Sequence, residues 1–105
     1  SSCDMNSTEL FEFITNNNFS LNGNGRVVFS RNNEVHIYGG RANLRGTYST
    51  SYGTLRISNL QAISGYFDAS KNNSSNGSFT MDCDGNMNGT LYSGGDYRNV
   101  LISIE

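Results

Sequence analysis

The sequence predicts a mainly all-β domain: a small antiparallel β-barrel or strongly bent meander sheet with one short N-terminal helix. Three observations predict it. From Phe19 onward, short runs alternate apolar and polar residues. Clusters of Gly, Asn and Ser separate these runs, and no proline occurs in 105 residues. Only the stretch before Phe19 shows a helical period. Short strands at this spacing, punctuated by turn residues, form barrels or bent sheets.

The helix is read from "NSTELFEFITNN". Asn6 is placed as N-cap, and Glu9 three residues later completes a capping-box pair. Leu10, Phe11 and Ile14 share one face, with Phe13 near its edge, and Asn16, Asn17 and Asn18 end the element. About ten helical residues are not stable alone, so this helix needs a sheet to pack on.

The period then changes to two. "FSL" is a short strand. "RVVFS" puts Val27 and Phe29 on one face, and "EVHIY" puts Val35 and Ile37 opposite Glu34, His36 and Tyr38. "NLRGTYS" alternates Leu44, Gly46 and Tyr48 with Arg45, Thr47 and Ser49, and "GTLRISNL" aligns Leu55 with Ile57. "SFTMDC" aligns Phe79, Met81 and Cys83; "GTLYS" follows the turn "DGNMNG"; "NVLISIE" aligns Val100, Ile102 and Ile104. The polar stretch Asn72–Ser78 reads as a mobile loop inside the domain, because strands follow it.

The length fits a single β-rich domain, residues 1–105, with one modest core. Hydrophobic residues are 35% and charged residues 15%, both low for a globular chain. Six Tyr and six Phe nevertheless argue for a packed domain, since disordered chains are poor in aromatics. A net charge of −2 gives no bulk attraction to nucleic acid or anionic membrane. No apolar run approaches the roughly 20 residues of a transmembrane helix.

Cys3 and Cys83 form an even, widely separated pair. A thin core with one disulfide fits an exported protein, secreted or in the cell envelope (periplasmic). Closing that loop would stabilise by roughly 4.5 kcal/mol in the chain-entropy picture. Two other readings stand beside it. "SSC" before Asp4 looks like the end of a bacterial lipoprotein signal, which makes Cys3 a lipid anchor and leaves Cys83 unpaired. Both cysteines as free thiols is the third.

The glycine-rich stretch Tyr38–Ile57 reads as a hairpin. A phosphate-cradling loop needs a following helix N-terminus, and no helical pattern follows Gly39 and Gly40. Gly46, on the inward face, lets a strand bend or accommodates a large neighbour.

The segment Phe19–Ile63 carries a family pattern. "FSL", "RVVF", "GGRANLRGTY" and "GTLRISNL" follow in order, keeping Gly39, Gly40, Leu44, Gly46, Tyr48, Thr54, Leu55, Ile57 and Leu60. In this it resembles the META (heat-shock HslJ-like) family, with Phe19 at the family's tryptophan and Arg41 and Ala42 at its Cys-Asn. The family's next motif is replaced by "QAISGYF". The resemblance implies an exported, barrel-like domain without enzymatic activity, common in envelope or stress contexts. It carries over no catalytic or binding residue. Small lipocalin-like domains share the broad pattern.

No catalytic constellation is present, so the expected function is non-catalytic, without cofactor. His36 is the sole histidine and alternation places it on the outer face. Neither serine- nor cysteine-nucleophile motifs occur around it. "DCDGNMNG" offers oxygen ligands at Asp82, Asp84, Asn86 and Asn88, but an EF-hand wants glycine at Met87 and glutamate at Ser93. A hairpin turn accounts for the same residues. Arg41, Arg45 and Arg56 form the candidate partner-binding set with Tyr38 and Tyr52; Tyr66, Tyr92 and Tyr97 add aromatic surface if they face outward. Arginine and tyrosine favour protein interfaces. Two functions follow as expectations: a protein-binding module, envelope- or stress-associated or resembling hydrolase inhibitors, or a calycin-like barrel holding a small apolar ligand.

Overall fold

A computed structural model gives the fold and describes residues 4–39, 42–65, 75–93 and 96–105. A helix, α1 (Ser7–Thr15), precedes eight strands: β1 (Phe19–Leu21), β2 (Gly25–Phe29), β3 (Glu34–Gly39), β4 (Ala42–Ser51), β5 (Thr54–Gly65), β6 (Ser75–Met81), β7 (Met87–Ser93) and β8 (Asp96–Ile104). Each strand pairs antiparallel with the next, and β8 returns to β1, closing the barrel. Phe19 marks the seam, opposite Val27 on β2 and Ile104 on β8.

The helix forms where its caps stand. The Asn6 side chain accepts from the Glu9 N–H at 2.8 Å, and the Glu9 carboxylate accepts from the Asn6 N–H at 3.0 Å. At the other end the Asn16 and Asn17 amides donate to the Glu12 and Phe13 carbonyls at 2.7 and 2.8 Å. Side chains thereby satisfy carbonyls that a helix C-terminus leaves orphaned. Leu10 and Ile14 are fully buried, with Phe11 and Phe13 half-buried on either side.

Inward alternation fills the barrel with its own side chains. Val27, Phe29, Val35, Ile37, Tyr48, Leu55, Ile57, Leu60, Phe79, Met87 and Ile102 are all buried. Rings bind this interior to the helix. Phe13 meets Phe19 edge-on at 5.8 Å, Phe19 meets Phe29 at 5.7 Å, Phe29 meets Tyr48 at 5.2 Å, and Tyr48 stacks on Phe11 at 6.2 Å. Polar contacts seat α1 over the same end. The Ser7 hydroxyl donates to the Thr50 carbonyl at 2.8 Å, and Arg31 in the β2–β3 turn pairs with Glu12 at 2.9 Å.

The strands differ from the sequence reading in three places. β5 continues beyond Leu60 to Gly65, because a bulge resets its alternation. Asn59 takes the left-handed region there (φ 55°), Leu60 turns inward, and Gly46 faces the kink. A Cβ on Gly46 would lie 2.7 Å from the Ser58 carbonyl oxygen, so glycine permits the bend. β6 begins at Ser75, so part of the stretch read as a loop is strand; residues 72–74 lie outside the described residues. Ser75 is buried opposite Leu60. Finally, β6 ends at Met81, and Cys83 is an exposed turn residue rather than an inward strand residue. Asp82 breaks the strand by bonding its own turn.

Two predictions test this packing. A Cβ on Gly89 would fall on the Ser78 carbonyl oxygen and 2.7 Å from the Phe79 Cα. Backbone cannot yield as a side chain tip can, so Gly89→Ala should cost about 3 kcal/mol or more by thermal or denaturant unfolding. Gly39→Ala, whose Cβ meets nothing within 4 Å, is the matched control and should leave the melting temperature nearly unchanged. The second concerns Glu12, whose carboxyl the Arg31 hydrogen bonds hold below the ordinary carboxylate value. Its folded value lies below its unfolded one, so the pair's contribution is complete above the ordinary range. It is lost as pH falls through the lowered folded value. An NMR titration of the Glu12 carboxyl should show the low midpoint, and Arg31→Ala should restore the ordinary one.

Candidate functional site

The outer face of β3 and β4 gathers the most organised polar cluster among the candidate residues. Register puts His36 on β3 directly opposite Arg45 on β4. The Arg45 Nε–H donates to His36 Nε2 at 2.9 Å, which requires that nitrogen to be proton-free. Glu34, two residues along β3, approaches the same Arg45 Nε at 3.8 Å. On the other side the His36 and Tyr38 rings lie nearly parallel, 11° apart with centroids at 6.0 Å. Arg45 remains half exposed and Tyr38 is 45% exposed, so the cluster faces outward.

The other expected partner-binding residues do not join it. Arg56 stands on β5 opposite Ser49, four residues along β4 from Arg45. That is roughly 13 Å of strand. The two arginines share the outer side of adjacent strands, with the hairpin turning at Tyr52 and Gly53, but they make no close like-charge pair. Tyr52, 66% exposed in that turn, lies at the opposite end of β4 from Tyr38. Arg41 and Tyr66 lie outside the described residues.

The oxygen-rich turn after β6 works as a hairpin connection. Asp82 Oδ1 accepts from the Asp84 and Asn86 N–H groups at 2.8 and 2.9 Å, while Oδ2 receives the Asn88 amide at 3.5 Å. Gly85 completes it at φ 88°. Asp82, Asp84, Asn86 and Asn88 are thus neighbours, with the Asp82 carboxylate already engaged by the backbone it shapes. Among the described residues no three His, Cys, Asp or Glu side chains cluster as a metal would need.

Cys3 lies outside the described residues. Cys83 is not a free thiol. Among the described residues Met5 and Met81 are linked through Gly53: the Gly53 N–H donates to the Met5 carbonyl at 3.0 Å, and the Met81 N–H donates to the Gly53 carbonyl at 2.9 Å.

His36 as Arg45's partner was not among the expected binding residues. The signal existed in the hairpin arithmetic, since a turn between Gly39 and Ala42 sets position 36 opposite 45. Among the described residues, no helix is long and apolar enough to cross a membrane. No protein-family model, curated protein or solved structure matches the chain.

Proposed function

We propose that this barrel is a non-catalytic binding module that engages a protein partner carrying acidic groups through the outer face of β3–β5. One observation carries the reading: the ordered Glu34–Arg45–His36–Tyr38 cluster, which holds a half-exposed guanidinium between a carboxylate and an imidazole. A pre-set arginine loses less freedom on docking than a loose one. Arg56 extends the positive side of this face. His36 Nε2 is occupied by Arg45, which leaves it poorly placed as a general base. The alternative, a calycin-like carrier of a small apolar ligand, is opposed by the buried rings and aliphatic side chains that occupy the inward positions.

The setting we propose is exported, secreted or in the cell envelope, as the META-like pattern and the composition suggest. A Cys3–Cys83 bridge belongs to this reading. It would tie the segment before α1 to the β6–β7 turn, beside the Met5–Gly53–Met81 hydrogen-bond relay.

Two measurements follow. Capture from extracellular or envelope extracts should recover a partner at low salt and lose it as salt screens the face. Arg45→Ala should weaken the purified complex about tenfold, and Arg56→Ala less. Retention unchanged in both variants would remove β3–β5 as the docking face. Thiol titration of the denatured, unreduced protein should find no free thiol, and reduction should remove about 2–5 kcal/mol of stability. Two free thiols refute the bridge; one free thiol with added mass at Cys3 means a lipid anchor instead.

A further inference from the structure

The barrel has a second outer face of opposite character. On β6, β7 and β8 the outward positions are Asn76, Ser78 and Thr80, then Asn88, Thr90 and Tyr92, then Tyr97, Asn99, Leu101 and Ser103. None carries a charge at neutral pH. Arg56 bounds this face on the β5 side and the Arg26–Glu105 pair bounds it beyond β1. Arg98, on β8, falls by alternation on the opposite side of its strand from Tyr97 and Asn99, and is itself exposed.

Three consecutive outward pairs run along the β7–β8 ladder: Tyr92 with Tyr97, Thr90 with Asn99, and Asn88 with Leu101. The tyrosine rings lie 4.9 Å apart, and Tyr97 is 74% exposed. Immediately beyond them a shallow, open groove of about 520 Å³ is lined by Asn22, Asn88, Thr90, Asn99 and Leu101. Platform and groove together span roughly 14 Å of strand.

The groove wall is built. Asn22 sits at φ 50°, its N–H donating to the Leu101 carbonyl at 2.8 Å and its side-chain oxygen accepting the Leu101 N–H at 2.9 Å. Its amide nitrogen is thereby fixed in place and donates to none of the described residues. The side chains of Thr90 and Asn99 likewise make no hydrogen bond among the described residues. The phenols of Tyr92 and Tyr97 make none either.

We propose that this groove and tyrosine pair form a binding site for a neutral oligosaccharide. A pyranose ring offers an apolar C–H face and a rim of hydroxyls. Exposed aromatic rings accept the first, and amide and hydroxyl side chains, each able to donate and accept, pair with the second. A charged ligand would find no counter-ion here. An apolar ligand would strand the amides unpaired. A protein partner ordinarily supplies an apolar centre to its interface, and this face offers only Leu101 beside the rings. The site stands on other strands than the Arg45 cluster and does not rest on that reading.

The test uses the full chain, isotope-labelled, titrated separately with cellohexaose, mannohexaose, maltohexaose and N-acetylated chitohexaose to about 10 mM, with oligogalacturonate as the charged probe. At least one neutral hexasaccharide should shift the amides of Thr90, Asn99 and Leu101. Its affinity should hold between about 0.05 and about 0.5 M salt, where a charge-driven contact would fade. Tyr97→Ala and Asn99→Ala should each weaken it about tenfold, while Tyr97→Phe retains it. Both residues are exposed, so a melting curve matching the parent confirms that the fold is kept. The proposal is overturned by no shift with any neutral hexasaccharide, or by shifts that survive both alanine variants. Stronger binding of the charged probe, or shifts confined to β3–β5, overturn it as well. So does self-association of the parent chain that Tyr97→Ala abolishes.

Discussion

An arc of aromatic rings holds this molecule together. It starts on the helix at Phe13, passes through Phe19, Phe29 and Tyr48 inside the barrel, and returns to the helix at Phe11. The helix spans only Ser7–Thr15 and has no independent stability. The barrel end, for its part, would expose rings to water without a cover. Each supplies what the other lacks. Phe19 is also the strand-seam residue, opposite both β2 and β8, so the contact that seats the helix also sits where the barrel closes. Arg31 reaches over Phe11 at 5.3 Å to pair with Glu12, adding a polar latch outside the apolar one. The Tyr48 hydroxyl, donating to the Ser30 carbonyl at 2.6 Å, fixes the β2–β3 turn to the same arc.

With the interior filled, chemistry has to lie on the outside, and closure divides that outside into two territories. Inward glycines make the division possible. Gly77 and Gly89 leave room for the Phe79 ring, and Gly46 leaves room for the β5 kink. A large side chain is thus accommodated by neighbours without one, and adjacent strands stay close enough to pair. The outward residues of β3–β5 then present Glu34, His36, Arg45 and Arg56, whereas β6–β8 present amides, hydroxyls and two tyrosines. The β3–β4 register that aligns Ile37 with Leu44 on the inner side also aligns His36 with Arg45 on the surface. Core and site are consequences of one pairing.

Much of this was legible from residue order. The Asn6–Glu9 capping box and the Leu10/Ile14 face are legible because both depend on local spacing. Strand existence was legible from period two; number and spacing pointed to a barrel or a strongly bent sheet, and the β1–β8 pairing makes it a closed barrel. Strand ends were not. The bulge at Asn59 hides the continuation of β5, since a one-residue insertion inverts the alternation that announces a strand. The start of β6 was hidden because Ser75–Ser78 has no apolar residue, and Gly77 is covered by the ring of Phe79 two positions on. Cys83 followed Phe79 and Met81 in alternation, yet Asp82 had already turned the chain. At the site, Arg45 was legible as a charge, but its partner required register. Asn22, Thr90 and Asn99 carried no signal, since neutral polar residues are common throughout this chain.

Closure permits the sparse charge of the chain. A sheet with free edges needs charges, prolines or short strands to avoid pairing with another copy. Here each strand hydrogen-bonds on both sides, from β1 paired with β2 and β8 through to β8 paired with β7 and β1. Along these ladders the backbone donors and acceptors that would template aggregation are used, with β1 covering Ile102–Ile104 of β8. Selection is then free to leave the outer face of β6–β8 without charges, and a chain with no proline and only 15% charged residues can still present long strands such as β4 and β5. The neutral face is therefore permitted by the same ladder that Phe19 completes at the seam. A change that opened the β1–β8 junction would do more than loosen the core. It would free the edge of β8, whose outward residues Tyr97, Asn99, Leu101 and Ser103 carry no charge, for pairing with another strand.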